Sequence, residues 1–412
     1  MDGPRALDTA DIVVVGGGIV GLCSAFELCK RGFDVVIVEQ RFFAYGATGR
    51  NSGALWQQVR RAGPELTMAQ RGLEYYARYE EELGPTFEFR RKGGLFYFEN
   101  EAQEAVMQQY VEDRRAALLD VSFVTAREAR KHCAVLPDSA IGAVYCPDDA
   151  QIDAQAFARG LGSACLRRGV RAYENTAVLG TVRRGDAVIG VRTVRGDIHA
   201  NGVVWATGAW SMNLKSEGID LPIETYRVGQ LLTQPTTHAP GAILHGPRGV
   251  AFCGALTDLP SYDPRLFAPL QPTGAEEGFG YDDITVQNTE GGLLIGNSID
   301  GAGSLNPHIS MSATQSMIDT TLERGARMGE LGITGLWAGL VGHTRDQLPI
   351  VDRIDGIYVN TGHVYGMATG PVCGEVLAQM IVDEPGPLRE QLSVERPGLL
   401  PVPSRNQKGV SI

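Results

Sequence analysis

The sequence predicts an α/β protein of two units, one wound around a parallel sheet and one around a mixed or antiparallel sheet. Three observations carry this reading. Near the N-terminus a β-branched run passes through clustered glycines into an apolar-periodic helix and then a second buried strand, the mark of a parallel βαβ unit. The stretch from Tyr226 to about Ser298 instead reads as strands joined by Pro- and Gly-rich loops. Fifty-two glycines in 412 residues favour tight turns and close approach of backbone to a ligand.

Taken in order, Asp11 to Val15 is the first strand, "GGGIVGL" the turn, and "LCSAFELCKRG" a helix ended by Gly32, before "DVVIVE" forms the second strand. Gly46 to Gly53 is a glycine-rich loop. Pro64 to Leu83 has the spacing of an amphipathic helix, with Leu66, Leu73, Tyr76 and Tyr79 among its apolar positions. From Thr86 to Cys146 come short strands ("GGLFYF"), a charged helix over Glu101–Leu119 and another beginning at Thr125. Ala154–Gly169 is a helix. Val178–Ala206 alternates in strands with turns at "RRGD" and "VRGD". Ser310–Arg327 is a helix, Trp337–Val341 and Ile357–Asn360 are strands, and Gly370–Ile381 is the final helix before a Pro-rich surface tail.

A net charge of -11 and a pI near 5.2 argue against a nucleic-acid partner, which needs a basic face. The N-terminus lacks a basic n-region, and the longest apolar run, Ile12–Ala25, is too short to span a bilayer. Seven cysteines (Cys23, Cys29, Cys133, Cys146, Cys165, Cys253, Cys373) form no CxxC pair, so neither a disulfide framework nor a metal site is expected. The expectation is a soluble, cytoplasmic protein without a membrane span.

Gly16, Gly18 and Gly21 form G-x-G-x-x-G between strand and helix. That spacing permits a tight turn, approach of a pyrophosphate to the backbone beside Ile19 and Val20, and close helix–strand packing. Glu39 ends the second strand 18 residues after Gly21, where its carboxylate can accept hydrogen bonds from a ribose. The alternative is a glycine turn with no ligand. Two later segments favour FAD over NAD. "VVWATGAWS" returns a strand end to the nucleotide, and Gly366–Gly370 opens a helix whose N–H groups can face a flavin carbonyl.

With these motifs the chain resembles the superfamily of FAD enzymes that holds glycine oxidase, D-amino-acid oxidase and sarcosine oxidases, near the hydrogen cyanide synthase and hydroxyproline or opine dehydrogenase catalytic subunits. The resemblance spans nearly the whole chain: "DIVVVGGGIVGL", "GATGRNSGAL", "PDDAQIDAQAFARGLGSACLRRG", "VVWATGAW", "YRVGQLL", "TEGGLLIGNS", "WAGLVGHTRDQLPIV" and "GHVYGMATGPVCGEVL". It implies a Rossmann-like FAD-binding domain of the glutathione-reductase type over residues 1–85, 147–225 and 326–400, a substrate domain over 86–146 and 226–325, and a tail over 401–412. It also implies FAD contacts at Gly16, Gly18, Ile19, Val20, Gly21, Glu39 and Gln40, and at Thr48, Gly49, Arg50, Asn51, Ser52 and Gly53 in the glycine loop. Further contacts are implied at Val178, at Ala206, Thr207, Gly208 and Trp210, and at Gly366, Met367, Ala368 and Thr369. The implied reaction removes a hydride from the carbon next to an amine nitrogen and delivers it to flavin N5, leaving an imine. The electron acceptor is O2 or a carrier, and a homo-oligomer is possible. Left open beside it are a dehydrogenase subunit serving a partner, a nicotinamide-dependent dehydrogenase and a flavin-bearing structural subunit.

Such chemistry needs placement of a C–H bond in a dry site more than an acid/base pair. His132, His199, His238 and His308 show no partner pattern, and Asp148 and Asp149 read as turn and capping residues. The sequence departs from the family twice. The loop Gly46–Gly53 has no histidine and the stretch 337–351 no cysteine for tethering the flavin, so FAD is expected to be non-covalent. The arginine that pairs an amino-acid carboxylate in glycine oxidase and D-amino-acid oxidase is here Val341. If the strand from Trp337 continues, Val341 and His343 share its flavin-facing side, with His343 about 6.6 Å and Arg345 about 13 Å further along. The alternative is that His343, Arg345 and Asp346 only order a turn. Any carboxylate must be held from elsewhere, with Tyr226, Tyr281 and Tyr365 as candidates beside Val341, His343 and Arg345.

Overall fold

The computed structural model describes residues 6–237, 240–252, 254–267, 280–323 and 326–399. Two eight-stranded sheets organise the chain. In the first, Ile350–Ile354, Ile357–Thr361, Gly196–Trp205, Asp8–Val15, Val35–Val38 and Arg171–Tyr173 lie side by side, with Ala187–Thr193 and Val178–Arg184 extending from Gly196–Trp205. Asp8–Val15 pairs in parallel with both Gly196–Trp205 and Val35–Val38. Both faces are covered, as a parallel sheet requires. Val14 and Ile37 pack under the helices Ile19–Lys30, Pro64–Leu83, Ala154–Arg167 and Gly366–Ile381, while Val13, Val15, Val36 and Val38 fill the opposite side.

The second sheet runs Ile333–Thr344, Ile223–Pro235, Gly292–Asp300, Gly280–Gln287, Ile243–His245, Gly94–Phe98, Gly142–Cys146 and Ser122–Thr125. It is mixed: Ile243–His245 and Gly94–Phe98 are parallel and the other pairs antiparallel. Its core holds Phe96, Tyr110, Ile243 and Ile284 under Trp56. A two-stranded ladder, Ala54–Leu55 with Ala150–Gln151, lies outside both sheets.

Several boundaries differ from the sequence reading. Ile333–Thr344 is longer than expected at both ends and is an edge strand of the second sheet, although the resemblance assigns residues 326–400 to the FAD-binding unit. The last α-helix begins at Gly366, four residues before the expected start, with Pro371 inside it. Proline offers no N–H to Met367 O, and the Tyr76 hydroxyl donates to that carbonyl instead, at 2.6 Å. Asp149 caps nothing; the cap of Ala154–Arg167 is Asp153, which accepts from Ala156 N at 2.8 Å. The expected tail, Tyr281's side chain, Cys253 and His238 lie outside what the structure describes.

Candidate active site

The strand Asp8–Val15 ends at Gly16, where φ is +116° and a Cβ would lie 2.3 Å from Ala206 O. A Cβ on Gly21 would meet Gly16 O at 2.0 Å. The turn is therefore closed against its neighbours, and Gly21 serves packing. The helix after it starts with no side-chain cap and no acidic residue in its first turn, leaving N–H groups and partial positive charge toward an anion. Ile19 N donates to Thr48 Oγ1 at 2.9 Å, which fastens the glycine loop to the helix start. Glu39 is buried; Oε2 accepts from Gly17 N at 2.8 Å and Oε1 from Arg41 N at 2.9 Å. Burial holds its carboxyl above the usual range although these amides pull it down. A carboxylate has about four acceptor sites, so capacity remains on it for a ribose hydroxyl.

These groups open into a cavity of about 730 Å³. Of the residues expected at FAD, Gly16, Gly18, Ile19, Val20, Glu39 and Gln40 line it, as do Thr48, Arg50, Asn51, Ser52 and Val178. So do Ala206, Thr207, Gly208, Trp210, Gly366, Met367 and Ala368. Gly21, Gly49, Gly53 and Thr369 do not. The backbones of Ala44 and Ile152 pass behind Gly49 and Gly53, and Thr369 turns to a histidine. The cavity runs from the first helix to the start of Gly366–Ile381, which also lacks a side-chain cap and an acidic first turn. A space lined by Glu39 and by two uncapped helix starts fits a flavin dinucleotide.

Toward the second sheet the lining changes character. Val59, Val228, Ile284, Ile299 and Leu340 make it apolar, and Tyr226, Val341 and Tyr365 line it too. His343 does not line the cavity. The strand does continue, but His343 sits one layer back, its ring 4.8 Å from that of Tyr226 and Nε2 4.0 Å from exposed Glu224. Arg345 is exposed in the turn beyond. Asp346 receives both arms of the Arg396 guanidinium at 2.7 and 2.9 Å. Burial raises its carboxyl, but Arg396 outweighs this and holds it below the usual range. Gln347 accepts from the Tyr365 hydroxyl at 3.3 Å. "LVGHTRDQLP" is thus cavity wall up to Gly342 and a fastened turn afterwards.

Three side chains that the sequence reading passed over join this wall. Arg60 is 3% exposed, its guanidinium carbon 3.3 Å from the Tyr365 ring centroid. Its loop is seated on Asp149, whose Oδ1 accepts from Gln57 N at 2.6 Å and Oδ2 from Gln58 Nε2 at 2.7 Å. Burial pushes the Asp149 carboxyl up to about 6, against these bonds and the Arg60 charge. His245 is packed between the rings of Trp56 (5.1 Å) and Phe96 (5.2 Å). His363 bonds Thr369 and Asn360, and burial lowers its pKa to about 3. A polar residue closing the buried run "GAILH" was the one available signal for His245. His132, His199 and His308 do not line the cavity.

Among the described residues no helix is long and apolar enough to cross a membrane. Residues 11–380 match the family described as FAD dependent oxidoreductase (DAO). The chain is 25% identical to sarcosine oxidase subunit beta of Arthrobacter sp., over 95% of this chain and 92% of that protein. It is 25% identical to glycine oxidase of Pseudomonas aeruginosa, over 90% and 94%. A third relative, bifunctional protein ThiO/ThiG of a Nostoc sp., is 27% identical over 91% of this chain, which spans about half (53%) of that protein. Among solved structures, glycine oxidase from Geobacillus kaustophilus aligns with a TM-score of 0.80 at 21% identity, covering 94% of this chain and 99% of that one. L-proline dehydrogenase from P. horikoshii aligns at 0.77 with 23% identity, covering 94% and 97%. These two likenesses show a shared fold.

Proposed function

The chain belongs to the family of FAD-dependent oxidoreductases, and from that premise we propose that it oxidises the C–N bond of a small amino or imino acid whose carboxylate is held by Arg60. The observation that carries this is a buried guanidinium in the cavity wall, packed on Tyr365, where the arginine expected in place of Val341 is absent. Arginine stays charged at any working pH and offers a planar fork to a carboxylate. When bound, FAD supplies the two-electron acceptor for a hydride from the carbon beside nitrogen. Arg60 fixes the acid, Tyr226 and Tyr365 flank it, and Val59, Val228, Ile284 and Ile299 exclude water around the reacting bond. The proposed division of labour gives the first sheet the cofactor and the second the substrate wall.

FAD is held without a covalent bond in this reading, since no cysteine appears among the described lining residues and Gly46–Gly53 has no histidine. Electrons pass to a carrier more readily than to O2. No lysine lines the described cavity or falls between Lys215 and Lys408 to stabilise charge developing on oxygen. The nicotinamide alternative falls with the family match.

The test is anaerobic bleaching of the flavin colour by matched pairs of amines and amino acids, on wild type and Arg60→Met. Unpairing a buried carboxylate costs about 2 kcal/mol or more, so the variant's KM for the acids should rise at least ~30-fold. Equal bleaching by acids and simple amines, with Arg60→Met unchanged, refutes the assignment. Peroxide release as fast as dye reduction refutes the acceptor preference.

A further inference from the structure

The two helices that open onto the cavity are joined by a continuous chain of side-chain hydrogen bonds, and His363 is its middle link. Ser24, on the first helix, donates its hydroxyl to Val20 O at 2.7 Å, so its oxygen is left to accept. Asn360, at the end of strand Ile357–Thr361, donates Nδ2 to that oxygen at 3.1 Å and to Cys373 O at 3.3 Å. A carbonyl only accepts, so the contact with Cys373 O fixes which way the Asn360 amide faces. Its Oδ1 must then be the atom 2.9 Å from His363 Nε2. An amide oxygen cannot donate, and so Nε2 carries the hydrogen. In the neutral ring Nδ1 is then bare, and it accepts from the Thr369 hydroxyl 2.7 Å away, the nearer of that hydroxyl's two acceptors, with Tyr365 O at 3.2 Å. Thr369 lies in the first turn of Gly366–Ile381, directly after Gly366, Met367 and Ala368 of the cavity wall.

With the ring neutral, every donor in this run meets an acceptor in a single tautomer. Asn360 and His363 both also line the cavity. The run links Ser24 of the first helix to the first turn of Gly366–Ile381.

We propose that His363 is a positioning residue for FAD: as the neutral Nε2–H imidazole it locks the first turn of Gly366–Ile381 against the first helix. The amides of that turn and those after Gly16, with Ile19 packed against Gly366 and Gly370, then face one cofactor in a fixed register. The burial that keeps His363 neutral keeps this spacing the same across the working pH range. Loss of the link loosens the return helix start, and the cofactor is left with the contacts of the first helix.

Three variants and one spectrum test this on the full chain. His363→Phe keeps the ring's bulk and drops both bonds; His363→Gln restores a donor and an acceptor; Thr369→Val removes the Nδ1 partner, and with it the hydroxyl contact to Tyr365 O, while the ring stays. FAD is stripped and rebound, and its dissociation constant is read by flavin fluorescence, with the melting temperature of the apoprotein recorded beside it. His363→Phe should weaken FAD about tenfold or more, the worth of one or two hydrogen bonds. His363→Gln should recover most of that, and Thr369→Val should fall between. The imidazole 15N shifts of wild type should show protonated Nε2 and bare Nδ1 from pH 5 to 9. Wild-type FAD affinity in His363→Phe overturns the proposal. So does equal weakening in His363→Phe and His363→Gln, which marks the site as structural filler, or a His363 that titrates near pH 6.5. If His363→Phe does not fold, Thr369→Val with wild-type affinity overturns it equally.

Discussion

Replacing Asp149 by Asn should flatten a pH dependence of stability that the wild type carries. Asp149 is fully buried, and burial moves its carboxyl from an ordinary 3.8 up to about 6, although Gln57 N, Gln58 and the nearby Arg60 charge all favour the ionised form. The folded protein therefore holds this proton more tightly than the unfolded chain does. The stabilisation from that preference is fully present below pH ~4 and is lost as pH rises through about 6. At 1.36 kcal/mol per pH unit, the rise from 3.8 to about 6 amounts to about 3 kcal/mol. Asn keeps the oxygen that Gln57 N uses. Its amide can donate to Gln58 Oε1, a buried atom with no hydrogen-bond partner, once that side chain turns. Asp149→Asn should thus match or exceed wild type at pH 8, and its advantage should shrink by about 3 kcal/mol toward pH 4. Urea unfolding of the two proteins from pH 4 to 8 reads this directly. Profiles that stay parallel within a few tenths of a kcal/mol would show that folding leaves the Asp149 carboxyl unshifted, and the argument from burial would fail.

Two further outcomes follow from the same geometry. Glu39→Ala should purify with little FAD, since hydrogen bonds to a charged group contribute about 1.5–3 kcal/mol and Gly17 N loses its partner too; full occupancy after dialysis would remove Glu39 from the ribose site. Arg396→Met should destabilise the protein by about 2 kcal/mol, because half-buried Asp346 loses its guanidinium and the carbonyls of Leu348 and Pro349 lose a donor. It should also raise KM, through Gln347 and Tyr365; a drop in stability with KM untouched would separate the turn from the pocket.

What the sequence made legible was local. The glycine turn, its strand and helix, and Glu39 are read from neighbours in the chain, and the cavity opens where they lie. The wall facing the second sheet was much less so. Arg60 and Arg61 are adjacent and identical in type, yet one is buried beside Tyr365 while the other reaches Glu65 and Asp346 O. Asp149, distant in sequence, seats the loop that divides them. His343 shows a different failure. Its strand periodicity was read correctly, but alternation fixes a face and not how far a cavity extends along it, and Tyr226 takes the last place. His363 carries no signal at all without Asn360, whose orientation depends on a carbonyl in another helix.

The Tyr76 hydroxyl on Met367 O deserves a mechanical reading. A regular helix offers a partner no unique axial position, since sliding by one turn presents an almost identical surface. Pro371 removes that degeneracy by leaving a single interior acceptor open, and Tyr76 can reach only that one. The pair is an index mark. Slippage of Gly366–Ile381 past Pro64–Leu83 by 5.4 Å would strand both groups in the core. The missing N–H of one residue thereby becomes the ruler that sets where the helix begins, and with it the depth of the cavity floor.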